Sequence, residues 1–294
     1  MAKCNLCPRN CNIDRSLGQK GICGVNNDIY IARASLHQWE EPCISGENGS
    51  GTVFFSGCSL KCVYCQNFNV SRALVGRKVT ADELSDIFLS LQCKGVHNIN
   101  LVTGDHYIPQ IICALGIAKT KGLNIPIVFN TSSYVNVSSL KMLSGYVDIY
   151  LADFKYHSSE ISKKYSNAAD YPEIAKKAIE EMHSQQSELL YSESGMLLKG
   201  VVVRNLVLPG YLSESKKILR YLYEKYKSSI LISIMSQYTP FANTEKFPEI
   251  NRKLTAREYG RIVDFAIELG VKNAFIQDGS SASESFIPDF NCSI

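Results

Sequence analysis

The sequence predicts an α/β fold: an open, partial (β/α) barrel of about six strand-helix units, carrying a small cysteine-rich, metal-binding amino-terminal extension. From residue 52 onward, short β-branched runs alternate with amphipathic stretches, the pattern of strand-helix units around a parallel sheet. Residues 1–45 lack that rhythm and are rich in Cys, Asn, Arg and Gly, as expected of a unit stapled by metal because it cannot build a core of its own. We therefore expect two parts, 1–45 and 46–294, joined by the Gly- and Ser-rich loop 45–51.

Candidate strands are 52–55, 98–103, 127–130, 147–151, 200–204 and 230–235, with a weaker seventh at 274–277. Thr80 with Glu83 makes a capping box, and Leu84, Ile87, Phe88 and Leu91 follow at helical spacing to form one buried stripe. Thr255 with Glu258 repeats the device, and Gly270 is placed to end that helix. The polar stretch 183–194 reads as an exposed, mobile loop. Six or seven units are too few for a closed eight-stranded barrel; periodicity alone does not separate an open barrel from a doubly wound sheet, and in both the chemistry sits at the carboxyl ends of the strands.

A formal charge of +3 with scattered Lys and Arg argues against a nucleic-acid or anionic-membrane partner. The amino terminus MAKCNLCPRN lacks a secretory layout and no apolar run approaches membrane-spanning length, so a cytoplasmic protein is expected. In that compartment cysteines stay reduced, and tight groups of them read as metal ligands. Seven of the eleven fall in two groups: Cys4, Cys7, Cys11 and Cys23, then Cys58, Cys62 and Cys65; Cys43, Cys93, Cys113 and Cys292 stand alone.

The second group, Cys58-Ser-Leu-Lys-Cys62-Val-Tyr-Cys65, directly follows the first barrel strand. A chain of this composition produces only about 0.015 such triplets by chance. Three thiolates from one tight loop can hold three irons of a [4Fe-4S] cube and leave the fourth open, whereas an electron-transfer cluster or structural zinc takes four protein ligands. An open iron implies chemistry there. A zinc loop completed by a distant residue and unligated core thiols are the competing readings. In the first group, Cys4-x2-Cys7-x3-Cys11-x11-Cys23 offers a closed four-thiolate site, and spacing does not choose between zinc and a second iron-sulfur cluster, or exclude an empty site.

At the triplet, with Tyr64 just before its last cysteine, the sequence resembles the radical S-adenosylmethionine (SAM) superfamily. Beyond it, the chain resembles pyruvate formate-lyase activating enzymes, and most closely an uncharacterised activase-related family with an extra cysteine-rich amino terminus. The segments carrying this are Cys-Pro-Arg-Asn-Cys at 7–11, Glu-Glu-Pro at 40–42, Cys-Gln-Asn at 65–67, Val-Asp-Ile-Tyr-Leu-Ala-Asp-Phe-Lys at 147–155, Val-Arg-Asn-Leu-Val-Leu-Pro-Gly at 203–210 and Met-Ser-Gln-Tyr at 235–238.

The resemblance implies that SAM chelates the open iron through its amino and carboxylate groups, with Tyr64 near the adenine. It also implies cofactor contacts from Asp153 and Lys155, one face of a strand end, and from Asn130 and Arg204. The activases carry Gly-Gly-Glu-Pro after the second strand. Here Val102-Thr-Gly-Asp-His-Tyr107 stands instead, leaving Asp105 or the Thr103 carbonyl to receive the methionyl ammonium, and Gln237 stands where activases have histidine. The bland readings are a strand-end ion pair for Asp153 and Lys155, a surface arginine for Arg204, a turn cap for Asn130, and a loop turn and satisfied histidine at Asp105 and His106. The implied reaction is reductive cleavage of SAM, with electrons from flavodoxin or ferredoxin, to a 5′-deoxyadenosyl radical that takes a hydrogen atom, most nearly to activate a glycyl-radical enzyme. Modification of a small molecule or another protein is the alternative enzyme reading, and an iron-sulfur electron carrier the non-enzyme one.

Overall fold

The computed structural model describes residues 3–277; Cys292 lies outside them. In chain order the elements are β1 (Ile29–His37), α1 (Pro42–Ser45), β2 (Ser50–Phe55), α2 (Phe68–Ser71), β3 (Arg77–Val79), α3 (Ala81–Cys93), β4 (Ile99–Val102), α4 (Ile108–Thr120), β5 (Ile127–Thr131), α5 (Val137–Met142), β6 (Ile149–Asp153), α6 (Ser159–Ser166), α7 (Tyr171–Gln185), β7 (Leu190–Tyr191), β8 (Leu197–Leu206), α8 (Leu212–Tyr226), β9 (Leu231–Met235), α9 (Ala256–Leu269) and β10 (Ala274–Ile276). The sheet runs β10-β9-β8-β6-β5-β4-β2-β1-β3. From β2 to β10 along this path every pairing is parallel, and β1 and β3 add antiparallel at the β2 end. The two ends, β3 and β10, do not pair, which makes this the open barrel that the alternation predicts.

Strand alternation separates two environments. Facing the helices, Phe129, Tyr150, Ala152, Val201, Val203 and Ile232 join the main core, where Leu84, Phe88 and Leu91 dock the stripe of α3. On the opposite, concave face Val128, Ile149, Leu151, Val202 and Leu231 pack on Cys43 and Ile44 of α1, which closes the lower end of the lumen. Further along those strands the same face carries Asn130, Asp153, Arg204 and Ser233, so one strand face changes from an apolar floor to a polar chamber. Asp153 and Arg204 are register partners, as are Arg204 and Ser233.

Both capping boxes form, with Thr80 accepting from the Glu83 amide and Thr255 from that of Glu258, and Gly270 ends α9 in the left-handed conformation. Two expectations change. Residues 183–194 are not a single loop: His183 lies in the last turn of α7, with a ring nitrogen 2.8 Å from Ser229 Oγ, and Leu190–Tyr191 pairs with β8. Residues 29–45 belong to the sheet and its floor, because β1 is long enough to pair with both β2 and β3. Among the described residues no helix is long and apolar enough to cross a membrane.

Phe88 is fully buried beneath α3, and its replacement by Ala is expected to cost about 3–5 kcal/mol. Loss of the Thr80 cap in Thr80→Ala should cost about 1 kcal/mol. Urea unfolding of the two variants checks the ranking.

Candidate active site

The cysteine triplet occupies the turn that leaves β2. Gly57 has φ 92° and donates its N–H to Val70 at 2.7 Å; a Cβ there would lie 2.6 Å from the Cys23 carbonyl, so only glycine fits. Cys58 donates its N–H to that same carbonyl at 3.3 Å, Val63 donates to the Tyr165 carbonyl at 2.9 Å, and the Arg72 guanidinium holds the Lys61 carbonyl at 2.9 Å. These bonds fix the backbone between Cys58 and Cys65 independently of any metal.

Cys58, Cys62 and Cys65 open onto a cavity of about 820 Å³ enclosed by the carboxyl ends of the barrel strands. Tyr64, Thr103, Asn130, Asp153, Lys155, Arg204 and Gln237 line the same cavity, so the structure brings these residues together with the triplet. Tyr64 is buried, edge-on or tilted against Tyr156, Tyr165 and Tyr238. The Gln237 carbonyl accepts from Gln66 Nε2 at 2.7 Å, which ties the cysteine loop to the end of β9.

The chamber is organised around Arg204. Its Nε donates to Asp153 Oδ1 at 2.9 Å, Nη1 to Glu40 Oε2 at 3.1 Å and Nη2 to Asn130 Oδ1 at 2.7 Å. Lys155 Nζ takes the other oxygen of Asp153 at 2.6 Å. Burial alone would raise the Asp153 carboxyl, but the Arg204 and Lys155 cations outweigh it and hold the group below the usual carboxylate range. Burial also opposes the charge on Lys155, yet the facing Asp153 raises it. The surface-arginine and turn-cap readings do not describe these positions: the Arg204 side chain is 12% exposed, inside the barrel, and Asn130 is one of its hydrogen-bond partners.

Asp105 goes elsewhere. It lies in a short 3-10 turn, is 2% exposed, accepts from Thr131 Oγ1 and does not line the cavity; burial pushes its carboxyl up to about 6. His106 Nε2 lies 2.8 Å from the Ser56 carbonyl, and burial brings its pKa down to about 4, so the ring is the satisfied neutral histidine. Thr103 does reach the cavity, with φ 59°, a left-handed conformation that a β-branched residue adopts only under constraint.

Two acidic residues escaped the sequence reading as site residues. Glu40 also accepts from Asn100 Nδ2 at 3.0 Å, and Glu41, 7% exposed, has one carboxylate oxygen without a partner among the described residues. Burial raises both carboxyls, with Arg204 opposing. They reach the lumen because β1 runs antiparallel and delivers the segment before α1 to the floor. The Glu-Glu-Pro segment was the available signal, although nothing in its spacing says that it turns inward.

The donor set fits an iron-sulfur cube at the triplet. Three thiols on one loop face the same cavity, as a cube that takes one iron ligand from each requires. The amino-terminal cysteines gather outside the cavity. Gly21 lies between Cys11 and Cys23, where a Cβ would be 3.3 and 3.6 Å from the two sulfurs; the Ile22 N–H donates to Cys11 Sγ at 3.4 Å; and Cys7 is pushed up to about 12 by burial, with the other three cysteines adding to the effect.

Residues 52–222, more than half of the chain, match the model of the Radical SAM superfamily. The chain belongs to that superfamily. Radical SAM enzymes use a [4Fe-4S] cluster with SAM and need a reductant. An uncharacterised protein of Methanocaldococcus jannaschii is 28% identical over 270 residues, covering 90% of this chain and 74% of that one. Among solved structures, methylornithine synthase matches 74% of the chain with a TM-score of 0.51 and 15% identity, a likeness of fold; the match spans 62% of that protein's length. The Streptococcus suis protein SuiB, solved with its precursor peptide, matches 74% of the chain and 46% of its own length, and the FeFe-hydrogenase maturase HydG of Carboxydothermus hydrogenoformans matches 72% and 49%, each at a TM-score of 0.49 and 13% identity.

Asp105 yields a pH prediction. Its folded value near 6 lies about two units above the unfolded one, so the folded state keeps a proton that the unfolded state loses, and stability falls as pH rises from about 4 through 6, by about 3 kcal/mol. In Asp105→Asn, which still accepts from Thr131, this loss is absent: the variant should gain on the wild type between pH 5 and 8 in paired thermal melts, the wild-type curve alone carrying the drop.

Proposed function

We propose that Cys58, Cys62 and Cys65 hold the catalytic [4Fe-4S] cluster, that the chamber of Asp153, Lys155, Arg204, Asn130, Thr103, Tyr64 and Gln237 holds SAM, and that the enzyme activates a glycyl-radical enzyme. The observation that carries the site assignment is the convergence of the triplet and the Asp153–Lys155–Arg204 group on one cavity. When bound, cluster and SAM supply reductive cleavage of the sulfonium and a 5′-deoxyadenosyl radical that removes hydrogen from the substrate. Lys155 and Asp153 present opposite charges on one strand end to the zwitterionic methionyl group. Arg204 fixes the Asp153 carboxylate so that it need not reorganise, while Asn130 and Glu40 hold Arg204. Thr103 lines the cavity and Asp105 does not, so the Thr103 carbonyl is the group assigned to receive the ammonium. The apolar floor around Ile44 excludes water from below.

The activase role is supported by the likeness of the quoted segments to pyruvate formate-lyase activating enzymes. A second reading, modification of a small molecule or a different protein, is favoured by one departure: Thr103-Gly-Asp105 stands where activases have Gly-Gly-Glu. In either case a low-potential donor such as flavodoxin or ferredoxin supplies the electron, and the protein is cytoplasmic. The four amino-terminal cysteines form a second metal site, zinc or iron-sulfur, in a unit ending near Asp28, where β1 begins.

Anaerobic reconstitution with metal counting and electron paramagnetic resonance tests this. The reduced-cluster signal should shift on adding SAM, and 5′-deoxyadenosine should form in the wild type but not in Cys58→Ser, Cys62→Ser or Cys65→Ser. Cys4→Ser and Cys11→Ser should keep the SAM-responsive signal while losing about four irons or one zinc per chain. A signal indifferent to SAM would overturn the site assignment. A glycyl-radical signal in a candidate partner, formed only with this enzyme and SAM, distinguishes the activase from the second reading.

A further inference from the structure

Cys62 of the triplet has a buried hydroxyl donor aimed at its sulfur. Ser166, the last residue of α6 and 2% exposed, places its hydroxyl 2.9 Å from Cys62 Sγ, to which it donates. Tyr156, fully buried, lies with its hydroxyl 2.7 Å from Ser166 Oγ. Ser166 has one hydroxyl proton and spends it on sulfur, so Tyr156 is the donor in that second bond, and the two hydroxyls form a directed chain ending on Cys62.

The backbone of Ser166 is held from the amino-terminal unit. Arg9, between Cys7 and Cys11, donates from Nη2 to the Ser166 carbonyl at 3.0 Å and from Nη1 to that of Asn167, while its Nε takes the Ser59 carbonyl at 2.9 Å. Its guanidinium stacks over Tyr134 at 5.1 Å. One side chain thus bridges the end of α6 and the catalytic loop. The Cys23 carbonyl meets the Cys58 N–H on the other side of that loop.

We propose that Ser166 is a positioning residue for the catalytic cluster, raising its reduction potential by donating to the Cys62 thiolate, and that Arg9 of the amino-terminal unit keeps that donor aimed. This rests on Cys62 being a cluster ligand. Reduction adds an electron whose charge spreads onto the ligand sulfurs, so a donor to sulfur stabilises the reduced form more than the oxidised one. Such control matters in a cluster that must pass its electron to SAM only once the cavity is filled.

The test is a redox titration of the reconstituted enzyme, followed by the reduced-cluster resonance with iron counted in each sample. In Ser166→Ala, at the potential that half-reduces the wild type, the ratio of reduced to oxidised cluster should fall about tenfold, which is 59 mV for one electron, with iron content unchanged. Ser166→Thr, which keeps the hydroxyl, should restore the wild-type midpoint. Tyr156→Phe should shift it in the direction of Ser166→Ala but less far, an independent check on the chain. Arg9→Ala should also lower the midpoint, and should add nothing to Ser166→Ala, because no hydroxyl is left to aim. Equal midpoints in wild type and Ser166→Ala would overturn the proposal, and fully additive shifts would overturn the part given to Arg9. A wild-type signal that ignores SAM would instead overturn the site assignment, so the two failures are distinguishable.

Discussion

A guanidinium placed inside a barrel has to be surrounded by oxygen, because burying it unpaired costs more than the fold can supply. Arg204 meets this requirement with oxygens from β5, β6 and the segment before α1. Three separate pieces of backbone are thereby held at one height in the lumen, and Lys155 completes the set through the second oxygen of Asp153. Replacing one member would leave the others buried with charge uncompensated. The polar chamber therefore behaves as one unit, and its rigidity positions whatever binds above it.

The barrel was legible because each strand buries one face against helices and the other against a lumen, which leaves β-branched runs of recognisable length, and because capping at Thr80 and Thr255 is a local affair. The strand β1 was not. It alternates, but it sits beside a cysteine-rich segment of unlike composition and is followed by no full helix, so the strand-helix rhythm gave no cue. The triplet was legible for the same reason as the caps, since its cysteines lie within eight residues of chain. The contact between Arg204 and Glu40 spans 164 positions, and no short-range pattern announces it. Asp105 shows the opposite failure. Its place after the second strand, where the activases carry Gly-Gly-Glu-Pro, suggested it for the methionyl ammonium, but the 3-10 turn that begins at Asp105 carries its carboxylate to Thr131.

The amino-terminal cysteines and the loop of Cys58, Cys62 and Cys65 are separate in sequence and contiguous in space. Besides Arg9, the Asn5 and Leu6 carbonyls receive hydrogen bonds from Asn136 and Ser139, and Arg15 packs on Tyr107 while its guanidinium holds the carbonyl of His106. The unit is spread over the rim of the barrel at several strand ends, so order in it and order in the loops around the cavity are coupled.

The floor of the lumen has a different consequence. It is made by residues 38–45, which lie between two antiparallel strands and outside every strand-helix unit of the barrel. Substitutions at Cys43 and Ile44 reshape the apolar packing under the cavity without touching the cysteine loop, whereas Glu40 in the same segment is tied to Arg204. The apolar packing at Cys43 and Ile44 can therefore change shape while the charged group around Arg204 stays as it is, so one short segment carries two separable parts of the lumen.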